Sequence, residues 1–225
     1  MNLKKYPEAR ANFLKCTDRN EVFPGFLKRI FKYSSFQSLL DINAGDDSSA
    51  MFLSKMVTKY VPVDSIAEAS CFRNGTFNVV IVQSLPTAIE SRMLLTEEVR
   101  RLIADGGRLI VMTLNGEHGR WHDLLIESDL DQLSEEYKPE TPRVFLGRNF
   151  GTAVEERVLT HIESSNMGEV QKALAFVYSD KDERRFDRFM SSRGAYDYLI
   201  REFWRDERSG LIRFPLEYNW FVIIR

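Results

Sequence analysis

The chain has 225 residues, of which 44% are hydrophobic and 28% are charged, a content sufficient for one full α/β core. Its 31 basic and 33 acidic residues give a net charge of −2, which excludes the basic excess that would favour a nucleic acid or an anionic membrane as partner. No run approaches the roughly 18 apolar residues of a membrane span, Met1 to Arg10 carries no signal-peptide pattern, and the only cysteines are Cys16 and Cys71, so we expect a cytoplasmic protein.

The N-terminal segment has a helical pattern. Between Tyr6 and Lys32 the apolar residues recur at helical spacing, as Phe23, Phe26, Leu27, Ile30 and Phe31. Pro24 suits the first turn of a helix, where its missing N–H would have had no helical partner. We therefore predict a helical cap over residues 1–35.

A strand, a turn of small residues and a helix follow the cap. The apolar run Ser38–Ile42 indicates a strand, and Asp47 or Ser48 can cap the helix behind it. The apolar face of this helix is predicted to comprise Leu53, Met56, Val57 and Tyr60. The next extended stretch, Val61–Asp64, contains Pro62, which favours a position near the edge of a sheet.

Two further strands flank a third helix. The continuous β-branched run Phe77–Val82 is typical of a strand buried on both faces. Pro86 opens a helix that ends at the glycines of Asp105–Gly107 and whose apolar stripe is Leu95, Val99, Leu102 and Ile103. The buried run Arg108–Leu114 is the next strand. Strands alternating with helices in this way predict a parallel, doubly wound α/β sheet.

The second half of the chain is mostly helical. Asn115–Phe150 is helical and irregular, and Ala153–Ile162 alternates like a strand. Met167–Tyr178 and Glu183–Arg205 are predicted helices, the latter interrupted near its middle. Arg213–Arg225 is a closing strand or hairpin arm.

Three segments, in order, resemble motifs of the class I S-adenosylmethionine (SAM)-dependent methyltransferases. Leu39–Asp46, with the sequence L-L-D-I-N-A-G-D, resembles the first motif, which ends a strand and turns beneath the cofactor. Ala67–Val80 resembles the stretch that leads into the fourth strand, and Ala104–Val111 the Gly-Gly turn before the fifth. Within this superfamily, Tyr6–Leu14, Asn115–Trp121 and the closing strand are similar to the histamine N-methyltransferase group of small-amine methyltransferases.

The resemblance implies a Rossmann-like doubly wound methyltransferase sheet with a helical cap and a helical insertion. We expect one domain over 1–225, with a cofactor half at 36–114 and the insertion and closing strands at 115–225. The segment after Asp64 is short, since Ala67 follows almost at once. The sheet is therefore reduced by about one helix–strand unit: either Val61–Asp64 is the second strand and the next pair is missing, or the second strand and its helix are missing.

The resemblance also implies SAM as cofactor, held by five residues. Asp41 corresponds to the acid that helps to hold the amino-acid end of SAM, and Asn43 and Gly45 lie in the turn beneath it. Such a turn favours an electron-rich ligand, because backbone N–H groups and the helix dipole point at it. Asp64 is the candidate for the acid that accepts the ribose hydroxyls. Gln83, directly after the strand Phe77–Val82, is the candidate on the adenine side.

The glycine turn departs from the family pattern. Asn43 and Asp47 occupy two positions where the family has glycine, although Asn43 tolerates a left-handed backbone. Asp46 and Asp47 bring two carboxylates to the place where the carboxylate of SAM would bind. Asp47 is alternatively a plain helix N-cap.

Two functions remain open on the sequence. The first is methyl transfer from SAM to a small-molecule acceptor, possibly an amine, with Glu21, Trp121 and Glu217 facing the acceptor by resemblance. The second is a catalytically inactive domain that binds a partner protein or another ligand. No catalytic residue is singled out, and no metal site is predicted, because His118 and His122 lack the pattern of a known metal motif.

Overall fold

The computed structural model describes residues 5–31, 37–42, 48–83, 85, 89–115, 119–130, 140–179, 183–203 and 210–225. The strands are β1 (Ser38–Ile42), β2 (Lys59–Val63), β3 (Phe77–Val82), β4 (Ile103–Leu114), β5 (Ala153–Ser164) and β6 (Ile212–Ile224). The helices are α1 (Lys5–Cys16), α2 (Arg19–Phe31), α3 (Ser48–Met56), α4 (Ile89–Leu102), α5 (Arg120–Glu127), α6 (Pro142–Phe150), α7 (Met167–Ser179), α8 (Glu183–Ser191) and α9 (Arg193–Phe203).

The strands form one sheet in the order β2-β1-β3-β4-β6-β5. β1 pairs in parallel with β2 and β3, and β3 pairs in parallel with β4. β6 runs antiparallel to β4, with Val111 opposite Phe221. Every residue of β1 is buried, as parallel strands covered on both faces require. The predicted α/β class with a doubly wound sheet is therefore confirmed.

The chain divides into two compact units. Unit 1 comprises Met1–Arg19, Asn115–Ser134 and Leu159–Glu217, and unit 2 comprises Asn20–Leu114, Glu135–Val158 and Tyr218–Arg225. The division of the sequence into a single domain over 1–225 stays a prediction. Within the described residues, no helix is long and apolar enough to cross a bilayer.

Unit 2 contains the parallel part of the sheet, with helices α4 and α6 packed on one face. The buried side chains between them are Leu40, Ile42, Val80, Val82, Leu95, Val99, Leu102, Leu109, Val111, Phe145, Leu146, Phe221 and Ile223. On α2, the rings of Phe23 and Phe26 pack at 5.0 and 4.6 Å from the ring of Trp220. The apolar stripe predicted on this helix is therefore a core face.

Unit 1 is built around α7, whose first turn is fixed by hydrogen bonds. Ser164 Oγ donates to Glu169 Oε2 at 2.6 Å, and Lys15 Nζ lies 3.4 Å from Glu169 Oε1. These contacts, the serine hydrogen bond first, lower the pKa of Glu169 below its ordinary value. Asn12 Nδ2 donates to the Glu169 carbonyl at 2.8 Å, so α1 is held against the same turn.

Several boundaries differ from the sequence predictions, among them the following three. Tyr60 lies in β2 rather than on a helix face, because α3 ends at Met56. Helix α4 ends at Leu102 instead of at the glycines, since Ile103 already pairs with Phe77 at the start of β4. Helix α2 begins at Arg19, so Pro24 stands inside it and not in its first turn.

A single 3-10 helix, Ile66–Cys71, joins β2 to β3. All residues between these strands are described, and no further strand lies among them. Arg101 of α4 holds this helix: its guanidinium donates to the carbonyls of Phe72 and Ala69, and also binds Glu98. β2 thus pairs directly with β1, as expected if Val61–Asp64 belongs to the second strand.

Candidate functional site

A buried carboxylate lies near the carboxyl end of β1. Asp41 is 0% exposed. Tyr60 Oη donates to its Oδ2 at 2.8 Å, and Gln83 Nε2 lies 3.0 Å from Oδ1 and 3.1 Å from Oδ2. A carboxyl group this deeply buried requires such donors, because a buried polar group without a hydrogen-bond partner is costly. The three side chains therefore tie β1 to both of its neighbours in the sheet, β2 and β3.

The register of the sheet explains this cluster. Leu40 and Ile42 point into the core beneath α4, so Asp41, between them, points to the opposite face of the sheet. On β2, Tyr60 lies opposite Leu39, on that same face. Gln83 follows Val82, the parallel partner of Ile42, and its N–H donates to the Ile42 carbonyl at 3.1 Å.

Asp64 is an exposed carboxylate at the same edge of the sheet. It follows β2 directly, and the last residue of that strand, Val63, pairs in parallel with Ile42. Ligands of open α/β sheets bind outside the carboxyl ends of the strands. Asp64 is therefore placed where a ligand at the end of β1 could reach it. Asn43, Gly45, Asp46 and Asp47, the residues of the glycine turn, lie outside the described residues.

The predicted acceptor residues fall into different units. Glu21 is exposed on α2 in unit 2, whereas Trp121 and Glu217 belong to unit 1. Trp121 is 5% exposed and its ring lies 6.4 Å from those of Phe189 and Phe214, which is a core position.

Glu217 stands on β6 and contacts one buried amide. Asn115 Nδ2 donates to Glu217 Oε1, and the Asn115 N–H donates to the Glu217 carbonyl at 2.8 Å. Glu217 itself is half-buried. Of the predicted acceptor residues, Glu217 thus has the surroundings of a polar site.

The sequence interpretation missed Tyr60 and Asn115. Tyr60 fits the helical spacing of Leu53 and Met56, which hid its place in β2. The signal that could have identified it is its position two residues before Pro62, in a run of β-branched and aromatic residues. Asn115 comes directly after the predicted strand Arg108–Leu114, at the edge of the sheet where loop residues often take part in binding.

A second polar cluster lies in unit 1. Single ligand atoms of Asp18, His161 and Glu163 lie within 4.8 Å of one another, a spacing that a metal ion could use. Arg213 already brings a cation to this cluster, with Nε 2.5 Å from Glu163 Oε1 and Nη2 3.2 Å from His161 Nδ1. Asp18 also accepts the His161 N–H at 2.6 Å. The cluster is therefore a salt-bridged contact between β5, β6 and the end of α1.

The chain is similar in structure, but not in sequence, to solved proteins. No protein-family model matches the chain, and no curated protein sequence matches it. The YcgJ protein of Bacillus subtilis aligns with 90% of this chain and 97% of its own, at 13% identity and a TM-score of 0.53. A SAM-dependent methyltransferase from Archaeoglobus fulgidus aligns over 92% and 94%, at 13% identity and a TM-score of 0.51. The chain therefore has the fold of the SAM-dependent methyltransferases, as its motifs predicted.

Proposed function

We propose that this chain, which has the methyltransferase fold, binds SAM at the carboxyl edge of β1, β2 and β3 and transfers its methyl group to a small-molecule acceptor. The observation that carries the proposal is the pair of carboxylates at this edge, one buried and braced (Asp41) and one exposed (Asp64). When bound, SAM supplies a methyl group that its sulfonium has already activated, so the protein's contribution is mainly positioning.

The described residues fit a nucleoside at this edge. An exposed carboxylate at the end of β2 is suited to accept hydrogen bonds from two neighbouring ribose hydroxyls, and this supports Asp64 as the ribose contact. Asp41 acts differently. Its oxygens already accept hydrogen bonds from Tyr60 and Gln83, so it is a positioning residue that holds β1 against β2 and β3.

For the acceptor we propose a small amine, with Glu217 as its contact. The half-buried carboxylate of Glu217, braced by Asn115, is suited to attract a cationic amine. Replacing Glu217 with glutamine keeps the amide contact possible and removes the charge. We expect E217Q to raise KM for an amine acceptor about tenfold while the affinity for SAM is unchanged, as the loss of one charge-assisted contact predicts.

Calorimetric titration with SAM and with S-adenosylhomocysteine tests the cofactor proposal. We expect micromolar binding to the full chain and a loss of about 10- to 100-fold in D64N, since hydrogen bonds to a charged group contribute about 1.5–3 kcal/mol. The matched control is D105N, because Asp105 is also an exposed aspartate of unit 2 but lies near the amino end of β4. Equal affinities of D64N and D105N would remove Asp64 from the site.

A catalytically inactive binding domain is the second candidate function. It is favoured by the 0% exposure of Asp41, whose two oxygens accept donors from the protein itself. In that case Tyr60 and Gln83 occupy the carboxylate of Asp41, which is then not available to a cofactor. Absence of SAM binding at millimolar concentration would support this candidate and reject methyl transfer.

A further inference from the structure

A cavity in unit 2 lies away from the proposed SAM site. It has a volume of about 210 Å³. Its floor is apolar and buried, formed by Val99 of α4, Ile103 and Leu109 of β4, and Ile223 of β6. Ile103 is the first residue of β4, so the cavity lies towards the amino end of that strand. Asp41 and Asp64, in contrast, mark the carboxyl ends of the parallel strands.

Two arginines form the rim of this cavity. Arg100 Nε donates to the Asn149 carbonyl at 3.1 Å, and the guanidinium lies 5.7 Å from the centre of the Phe150 ring. Arg225 Nη1 donates to the Ile103 carbonyl at 2.6 Å and to the Arg100 carbonyl. Both side chains therefore bind carbonyls at the C-terminal ends of helices α4 and α6.

The helix C-termini neither neutralise the positive charge of these two guanidinium groups nor occupy all of their N–H donors. A helix C-terminus carries about half a negative charge, so two of them offset only about half of the two guanidinium charges. Within the described residues, neither guanidinium pairs with a carboxylate. Arg100 Nη1 and Arg225 Nη2 have no partner among those residues, and each can donate to a ligand.

We propose that this cavity binds a small monocarboxylate with an apolar body, such as an aryl carboxylate. The size fits one ring and its substituent, since a cavity of about 150 Å³ accommodates benzene. The apolar body would rest on Leu109 and Ile223, and the carboxylate would accept from Arg100 and Arg225. The proposal does not rest on methyl transfer. It assigns a second ligand, separate from the SAM site, to the same unit.

Titration of the full chain with benzoate tests the proposal. Benzamide, which has the same shape and no charge, is the matched ligand control. The readout is the 1H–13C spectrum of isoleucine methyl groups, which reports Ile103 and Ile223 directly. We expect saturable shifts of both methyls with benzoate and at least tenfold weaker binding of benzamide. Raising the NaCl concentration to 0.5 M should weaken benzoate binding several-fold without any substitution.

Substitutions of Arg100 and Arg225 test whether these two arginines are responsible for benzoate binding. R100Q/R225Q should weaken benzoate at least tenfold, and R100K/R225K, which keeps both charges but loses the guanidinium forks, should weaken it less than R100Q/R225Q does. The control is R148Q, because Arg148 lies on α6, is 68% exposed and pairs with Glu140 instead. Thermal unfolding verifies that each variant is folded.

Three results would overturn the proposal. They are equal affinity for benzoate and benzamide, a glutamine double variant that binds like R148Q, and benzoate binding that is insensitive to salt. The D64N variant separates this site from the SAM site. It should bind benzoate like the wild type even where SAM binding is lost.

Discussion

Removal of Arg101 should destabilise unit 2 through the short connection between β2 and β3. The guanidinium of Arg101 donates to the carbonyl of Phe72, lies 3.3 Å from that of Ala69 and forms an ion pair with Glu98 at 2.5 Å. The side chain is 26% exposed, so these contacts are partly shielded from water. The other described side chain that donates to a carbonyl of the 3-10 helix Ile66–Cys71 is Cys71, whose weakly donating Sγ lies 3.4 Å from the Glu68 carbonyl.

The expected loss in R101A is about 3 kcal/mol. One hydrogen bond from a charged donor contributes about 2 kcal/mol, and a partly exposed ion pair contributes up to about 1 kcal/mol. For a chain of this length, about 3 kcal/mol corresponds to a decrease in Tm of roughly 6–12 °C. R101K keeps the ion pair but lacks the fork that reaches two carbonyls, so it should lose about 2 kcal/mol.

Thermal and urea unfolding, followed by circular dichroism, measure these differences. The control is R73A, because Arg73 is exposed on the same connection and its side chain has no partner among the described residues; it should change stability by less than about 0.5 kcal/mol. Hydrogen exchange at the Phe72 amide, which donates to Ala69 at 3.1 Å, should accelerate in R101A. A loss in R101A no larger than in R73A would refute the reasoning.

Three further predictions concern single positions. G107A should lower the free energy of unfolding by about 1–3 kcal/mol, because the added Cβ would lie 2.7 Å from the Ala104 carbonyl oxygen. G25A lies in open space on α2 and should raise the free energy of unfolding by up to about 1 kcal/mol through helix propensity. Equal effects of the two substitutions in thermal unfolding would contradict this. The pKa of Glu169 is lowered on folding, so its ionised form stabilises the folded protein above the unfolded pKa near 4.5, and this effect is lost as the pH falls through the folded pKa. The difference in stability between wild type and E169Q should therefore vanish in acid. A difference that stays constant with pH would argue against this prediction. A thiol reagent should label exposed Cys71 in the folded protein and leave Cys16, whose pKa burial raises, until unfolding; equal labelling rates would reject this.

The central strands could be predicted because their sequences leave little choice. Phe77–Val82 is continuous, apolar and β-branched, and β3 has these bounds in the structure. The same reasoning predicted β1 as Ser38–Ile42, with the observed bounds. A strand buried on both faces imposes its own composition, so local sequence and tertiary position agree.

The side-chain cluster around Asp41 could not be predicted in this way. Its geometry depends on the register of three strands, which no local pattern specifies. Tyr60 also fits a helical face, and pairing of β2 with β1 overrides that local preference. Trp121 shows the converse case, since resemblance assigned it to an acceptor and the structure surrounds it with the rings of Phe189 and Phe214.

The end of α4 shows how a correct signal can be assigned to the wrong element. Gly106 adopts a φ of 71°, which a helix-terminating glycine often does. In the structure this glycine lies within β4, where the register shifts between Phe77 and Val79. Glycine marks a left-handed backbone in both cases, and the sequence alone does not distinguish a helix terminus from a β-bulge.

The short connection after β2 also has a consequence for self-association. With no strand between Val63 and Phe77, β2 is the outer strand of the sheet, and outer strands offer unpaired backbone groups to other molecules. β2 carries Pro62, which has no N–H to donate, and begins with an exposed lysine, Lys59. The composition of β2 therefore discourages pairing of this edge with a strand of another molecule, although the edge itself is exposed by the short connection.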